Sequence, residues 1–367
     1  MKSVYIHIPF CDNICSYCDF NKFYHNDNLI NKYLYSLENE IKTFYKDEII
    51  DTIYIGGGTP STLNVEQLKK LFGIINIFNK SNNLEFTFEC NPENMTIEKI
   101  DLLKENNVNR ISIGVQSFNK NILNLLNRRH TKEQVIELIN NLNSYNINNI
   151  NIDMMFGINI ENIDTIDADL EIISKLKIKH ISYYSLILEE NTMLYINKYK
   201  EQDEDTNYKH YEYICNKLKA LGYNHYEISN FSKNDYESKH NLTYWNNQEY
   251  YGFGCGAHGF INNIRYENTR SLTKYINNQY RLNSENMIKK TNMENEIMLG
   301  FRKLKGINKN EFYKKYNINI YEVFDIKKYI DNQTIIDDGD NIYINPKYIY
   351  VSNEILVGLL ESSEQNG

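Results

Sequence analysis

Val4-Tyr5-Ile6-His7-Ile8-Pro9-Phe10 runs directly into Cys11-Asp12-Asn13-Ile14-Cys15-Ser16-Tyr17-Cys18. The first segment has the alternation and branched residues of a strand, and Pro9 interrupts it. The second spaces three cysteines as CxxxCxxC on one short loop. Three thiolates so placed can take three corners of a cubane iron–sulfur cluster and leave its fourth iron for a substrate group. The same spacing fits a structural zinc site of three Cys and one His, with His7 or His25 as the fourth ligand. Spacing leaves both readings open.

Outward from this stretch, strand-like runs recur at 52–55, 84–89, 110–115, 147–155 and 180–188, with helical patterns at 29–44, 65–78, 96–106, 132–145 and 163–176 between them. Such alternation predicts a parallel sheet with right-handed crossovers, as an open or partial (β/α) barrel or a doubly wound sheet. The cysteines follow the first strand, Gly56-Gly57-Gly58 the second, Glu89-Cys90-Asn91-Pro92 the third and Gly114-Val115-Gln116-Ser117 the fourth. All therefore fall at strand C-terminal ends, where α/β folds gather their sites. Beyond Thr206 the alternation fades into a helix near 211–221 and a Tyr/Gly/His-rich region to about 270. A C-terminal part of helices follows, with a hairpin turning at Asp338-Gly339-Asp340.

The chain has 367 residues, 41% hydrophobic and 24% charged, enough for one large domain and a smaller one. That balance excludes wholesale disorder, collagen-like repeats and a disulfide miniprotein. A net charge of −8 with no dense Lys/Arg block argues against nucleic-acid binding. No run of 18 apolar residues and no signal-peptide pattern occur, so a cytoplasmic protein without a transmembrane segment is expected. Three of only six cysteines within eight positions point to metal chemistry in a reducing compartment. Asn, Lys, Ile and Tyr are too abundant to be informative singly, and the Asn-rich stretches read as compositional drift. The single Trp, at 245, and the seven of 16 glycines in 56–58 and 252–259 carry more.

Tyr5 to Cys11 and Cys18-Asp19-Phe20 resemble the opening of radical S-adenosylmethionine (SAM) proteins of the HemN/HemW group. The resemblance continues through Gly56 to Ser61, Glu89, Gly114 to Phe118, Arg128 to His130, Asp153 to Gly157, His180 to Leu188, Tyr226 to Phe231 and His240 to Gly259. It implies an α/β fold, a partial (β/α)6 TIM-like barrel with a smaller mixed α+β C-terminal domain. The expected divisions are 1–230 for the barrel, 231–270 for a haem-binding and barrel-closing segment, and 271–367 for the C-terminal domain. It also implies a 4Fe-4S cluster on Cys11, Cys15 and Cys18, with SAM held by Tyr5, Tyr17, Gly57, Gly58, Thr59, Glu89, Gln116, Arg128 and Asp153. In such families the methionine amino and carboxylate groups chelate the unique iron, and one-electron reduction of SAM gives a 5′-deoxyadenosyl radical.

Within that scheme Tyr5 would lie near the adenine or cluster, and Gly57, Gly58 and Thr59 would let backbone approach the methionine moiety. Arg128 would fork onto the carboxylate, and Glu89, Gln116 and Asp153 would hydrogen-bond amino or ribose groups. Each residue has a plainer reading. The triple glycine before Thr59-Pro60 can be a tight strand-to-helix turn, and Gln116 a satisfied polar residue at a strand end. Asp153, inside an apolar run, calls for a ligand or a basic side chain. One departure is Asn127, where the family usually has glycine.

Two branches of the group differ in ways that bear on this chain. Coproporphyrinogen III oxidases of the HemN type carry a further cysteine where Phe20 stands, and an N-terminal extension, whereas ten residues precede Cys11 here. HemW-type haem chaperones carry HNxxYW, which His240-Asn241-Leu242-Thr243-Tyr244-Trp245 matches, implying haem binding by His240, Asn241, Tyr244 and Trp245. Imidazole is a common axial ligand of haem iron, and Tyr and Trp offer flat faces to a porphyrin. Gly252 to Gly259 would pack backbone against another surface and close the barrel mouth, with Cys255 or His258 as alternative haem ligands. The expectation is a haem chaperone that delivers haem to respiratory or other haem-acceptor proteins and draws on an electron donor. Peripheral membrane contact and SAM cleavage stay open. The rivals are coproporphyrinogen oxidation and a metal-stabilised binding protein. On this reading His240→Ala weakens haem binding and spares the cluster, whereas Cys15→Ala removes the cluster.

Overall fold

The computed structural model describes residues 2–364. Strands β1 (Ser3–Ile8), β2 (Ile49–Gly57), β3 (Asn79–Cys90), β4 (Arg110–Gln116), β5 (Asn149–Phe156) and β6 (His180–Ser185) are parallel neighbours in that order. Helices α1 (Asp27–Phe44), α2 (Val65–Ile75), α3 (Ile97–Glu105), α4 (Lys132–Ser144) and α5 (Ile163–Lys175) connect them. The strands keep sequence order with no reversal point, so the sheet is a partial barrel and not a doubly wound one.

Each of these helices begins where a short polar side chain satisfies an otherwise unpaired N–H. Asn26, Asn64, Thr96, Thr131 and Asn162 accept from backbone three residues on, and Gln67 and Gln134 complete capping boxes. On α1, Ile30, Leu34, Leu37 and Ile41 form one buried stripe at three- and four-residue spacing. They join Ile53, Phe86, Phe88, Ile111, Ile113, Ile150 and Ile152 from the strands in one contiguous apolar core.

After α6 (Glu204–Ala220), strands β7 (Asn224–Glu227) and β8 (Asn230–Ser232) extend the sheet antiparallel beyond β6. The chain then forms α7 (Lys239–Trp245) and returns to the far edge. There β9 (Tyr250–Phe253) pairs parallel with β1, followed by antiparallel β10 (His258–Ile261), β11 (Ile264–Asn268) and β12 (Arg281–Asn286). The full order is β12-β11-β10-β9-β1-β2-β3-β4-β5-β6-β8-β7, with β12 and β7 as its two ends.

Residues 250–268 extend the sheet beyond β1, and Gly254 and Gly256 pack closely against His7 of that strand and Asn21 after it. The sheet continues through Asn286, past the division expected at 271. The sequence of β12, Arg-Leu-Asn-Ser-Glu-Asn, lacks an apolar face to announce a strand because it lies on an edge and is mostly exposed. The rest of the C-terminal part is helical, with a three-stranded sheet of Ile307–Asn308, Asn341–Ile344 and Ile335–Asp337. Its hairpin turns at Asp338-Gly339-Asp340 as expected, with Gly339 at φ +103°.

Candidate cofactor and ligand sites

Cys11 ends a two-residue strand, Phe10–Cys11, that pairs with Phe23–Tyr24 and buries its thiol. Cys15 and Cys18 follow on a half-buried loop that Ser16 ties to the segment after β4, through N–H to Leu126 O (3.1 Å) and Oγ to Leu125 O (2.7 Å). Asn127 belongs to this tie: its Nδ2 donates to Ile14 O at 2.8 Å, and its φ is +55°. The position thus needs a left-handed backbone, which glycine adopts freely and asparagine tolerates better than most residues. All three cysteines line one cavity of about 390 Å³.

Burial pushes the Cys11 thiol up to about 11, so a bound metal must take the proton's place to make it a thiolate. Neither histidine of the zinc alternative is free to complete such a site. His7 bonds Tyr5 OH (2.9 Å) and Asn21 O (2.8 Å), and His25 bonds Thr62 Oγ1 and Asp27 Oδ1, both at 3.2 Å.

The same cavity is lined by Tyr17, Gly57, Gly58, Thr59, Glu89, Gln116, Arg128 and Asp153, which reach it from β2, β3, β4 and β5 and from the loops after β1, β2 and β4. Tyr5 is absent from this group and faces a neighbouring cavity. The glycines have a reason that the sequence did not reveal. A Cβ on Gly56 would stand 2.7 Å from the Glu89 carboxylate, and one on Gly57 2.5 Å from the His7 ring. They admit the protein's own side chains before any ligand.

Glu89 accepts from Tyr54 OH (2.7 Å) and Gly57 N (3.1 Å). Burial, helped by nearby Asp153, raises its carboxyl to about 7. Asp153 is raised by burial too, and it finds its partners in Asn151 Nδ2 (2.8 Å) and Ser112 Oγ (3.2 Å), with the Arg110 charge nearby. It therefore needs no ligand to satisfy it.

Gln116 lies where the β4–β5 register shifts, at φ +63°, and its Oε1 is buried without a hydrogen bond. Arg128 spends Nη2 on Asn91 Oδ1 (3.0 Å) and Gly114 O and Nη1 on Cys15 Sγ (3.5 Å), which leaves Nε buried and unpartnered. An unpaired acceptor and an unpaired guanidinium donor, both buried and both on residues that line one cavity, suit a polar ligand.

The second cavity, about 620 Å³, shares Phe20, Tyr54 and Glu89 with the first. Its inner wall is α7, which fills the barrel interior. Glu85 of β3 caps the helix through Lys239 N (3.1 Å) and His240 N (3.0 Å), and Ser3 of β1 meets Thr243 at 2.8 Å. His240, Asn241 and Tyr244 line this cavity. Both nitrogens of His240 are engaged, Nδ1 with Thr52 Oγ1 (2.7 Å) and Nε2 with Tyr244 OH (2.8 Å), and burial lowers its pKa to about 3. Trp245 does not line the cavity and packs toward Arg302, whose guanidinium lies 5.8 Å from the ring centroid. Five residues from His240 it falls on another side of the helix, which the motif as a string cannot show. Sequence reasoning also missed Tyr54, Glu85 and Arg110. Their inward orientation within alternating strands was the available signal, but the charges of Glu85 and Arg110 read equally as exposed, and Tyr is too abundant in this chain to stand out.

An open β/α barrel with three loop cysteines beyond its first strand is the architecture of radical SAM proteins, and residues 5–173 match the Radical SAM superfamily. Residues 289–350 match the HemN C-terminal domain. The chain is 38% identical to "Heme chaperone HemW" of Lactococcus lactis over 96% of each chain. It is 37% identical to the protein of that name in Bacillus subtilis, over 98% of this chain and 99% of that one. The Escherichia coli counterpart is 31% identical, over 84% and 85%. The chain belongs to this HemW family. Its fold is also that of coproporphyrinogen III oxidase (HemN) from Escherichia coli, with a TM-score of 0.85 at 20% identity over 97% of this chain and 89% of the other.

Proposed function

We propose that this chain is a haem chaperone of the radical SAM type, which binds a 4Fe-4S cluster, SAM and haem and passes haem to acceptor proteins. The observation that carries the reading is the pair of adjoining cavities, one lined by the three cysteines and the other by His240, Asn241 and Tyr244, with Phe20, Tyr54 and Glu89 common to both.

The first cavity's donor set fits the cluster and SAM. Cys11, Cys15 and Cys18 would hold three irons, and the unpaired Arg128 Nε and Gln116 Oε1 offer a donor and an acceptor to the methionine end. Glu89 would take the amino group, and Tyr17, Gly57, Gly58, Thr59 and Asp153 would line the remainder. When bound, cluster and SAM together supply one-electron cleavage of a carbon–sulfur bond. The protein orients these groups and excludes water.

The second cavity would receive haem as cargo, between the aromatic faces of Phe20, Tyr244 and Tyr250. Asn241 lines it as well, while Trp245 supports the helix from outside. The acceptors, the electron donor and a cytoplasmic location belong to the same proposal.

The test is anaerobic cluster reconstitution followed by haem titration. Wild type should show iron–sulfur absorption and bind haem saturably, with quenching of Trp245, the chain's single tryptophan. Cys15→Ala should lose the cluster absorption. Turnover of coproporphyrinogen III without stable haem binding would overturn the reading in favour of the oxidase.

A further inference from the structure

Three imidazoles line the second cavity: His7, His240 and His258. Their states differ sharply. His7 and His240 are 3% and 1% exposed, and each has both ring nitrogens in hydrogen bonds, to Tyr5 and Asn21 and to Thr52 and Tyr244 respectively. Bonding haem iron would require either ring to abandon a buried hydrogen bond and strand its partner. The His258 side chain is 55% exposed. Among the described residues its carboxylate neighbour is Glu267, at 3.7 Å from Nε2, beyond hydrogen-bond reach.

We infer that His258, and not His240, supplies the imidazole that binds haem iron in this cavity. The inference rests on the haem-binding reading and names the residue within it. Other candidate ligands are poorly placed. Cys255 is fully buried with its Sγ on Thr269 O (3.1 Å), and the Tyr244 hydroxyl is held by His240. Burial keeps the Tyr250 phenol protonated.

The backbone presents His258 rigidly. Gly254 and Gly256, at φ +106° and +84°, make the bend before it, and a Cβ on Gly252 would stand 1.7 Å from its carbonyl oxygen. Gly256 N bonds Thr269 O (2.9 Å), and Asn268 N bonds Ala257 O (2.8 Å). Arg270 lines the same cavity with its side chain 63% exposed, placed to meet a propionate, while its Nε bonds Glu267 (3.1 Å). In this arrangement the HNxxYW helix forms the wall of the haem cavity, and the ligand comes from the start of β10.

The test is titration of the full-length, cluster-reconstituted chain with iron(III) protoporphyrin IX, followed by Soret position, electron paramagnetic resonance and affinity. His258→Ala should lose the imidazole signature and bind haem about tenfold or more weakly, and added imidazole should restore the signature. His258→Met should shift the spectrum toward thioether ligation. His240→Ala should keep the imidazole signature. Unchanged iron–sulfur absorption in each variant shows that the fold is retained. A wild-type spectrum in His258→Ala, or loss of the signature in His240→Ala alone, would overturn the inference while leaving haem binding intact. Absence of saturable haem binding by wild type would overturn both this and the chaperone reading.

Discussion

Glu89 holds a proton in the folded chain up to about pH 7, against 4.5 for an ordinary glutamate, because burial beside Asp153 outweighs its bonds from Tyr54 and Gly57 and the Arg110 charge. Between those two values the folded state binds a proton that the unfolded state has released, so this group's contribution to stability falls as pH rises. The urea midpoint of wild type should therefore drop relative to that of Glu89→Gln between pH 5 and 7.5; parallel curves would show that the carboxyl is ionised throughout. A cationic ligand reverses the preference. SAM affinity should rise with pH up to about 7 with release of a proton, which calorimetry in buffers of different ionisation enthalpy detects. Gln116 stores strain at φ +63°, and Gln116→Gly should stabilise the ligand-free chain by about 1 kcal/mol while weakening SAM binding. A destabilised variant would mean that the side chain earns its place through packing.

At the scale of elements, α7 is a seven-residue helix, too short to persist alone, so its position depends on the strands around it. Glu85 accepts from its first two N–H groups. Glu85→Ala should cost about 1–2 kcal/mol and reduce haem affinity while leaving iron–sulfur absorption unchanged, as read by urea denaturation and haem titration. Equal loss of both cofactors would mean that the helix supports the entire barrel. The asparagines, which looked like compositional drift, also have element-scale work. Asn107, Asn127, Asn146, Asn247, Asn262, Asn263, Asn278 and Asn317 all take positive φ at turns. In a chain with 16 glycines they serve where a glycine would otherwise bend the backbone.

Across the whole molecule, Glu40 on α1 fastens the β9–β12 extension to the barrel. Fully buried, it accepts from Gly254 N, Tyr275 OH, Asn268 Nδ2 and Arg281 Nη1. Removing it strands four donors, one of them charged, so Glu40→Ala should lower stability by about 3–5 kcal/mol. Glu40→Gln should lose less because it retains an acceptor. Urea midpoints check both, and an alanine variant of near wild-type stability would mean that water replaces the carboxylate. Because this attachment also carries β10 with His258, haem binding should weaken alongside stability. Among the described residues no helix is long and apolar enough to cross a membrane.

Local information was enough for much of this protein. The β/α order, the hairpin at Asp338-Gly339-Asp340 and the grouping of motifs at strand C-terminal ends follow from periodicity and turn chemistry, which act over a few residues. The cysteine loop was legible for the same reason. The state of each candidate ligand was not, because it depends on partners far away in the chain: His240 is held by Thr52, 188 residues distant, and Cys255 lies against Asn21, 234 residues distant. Whether an imidazole nitrogen is free, which wall of a helix Trp245 occupies and where an edge strand such as β12 attaches are set by long-range packing and hydrogen bonding, and a linear motif carries no record of them.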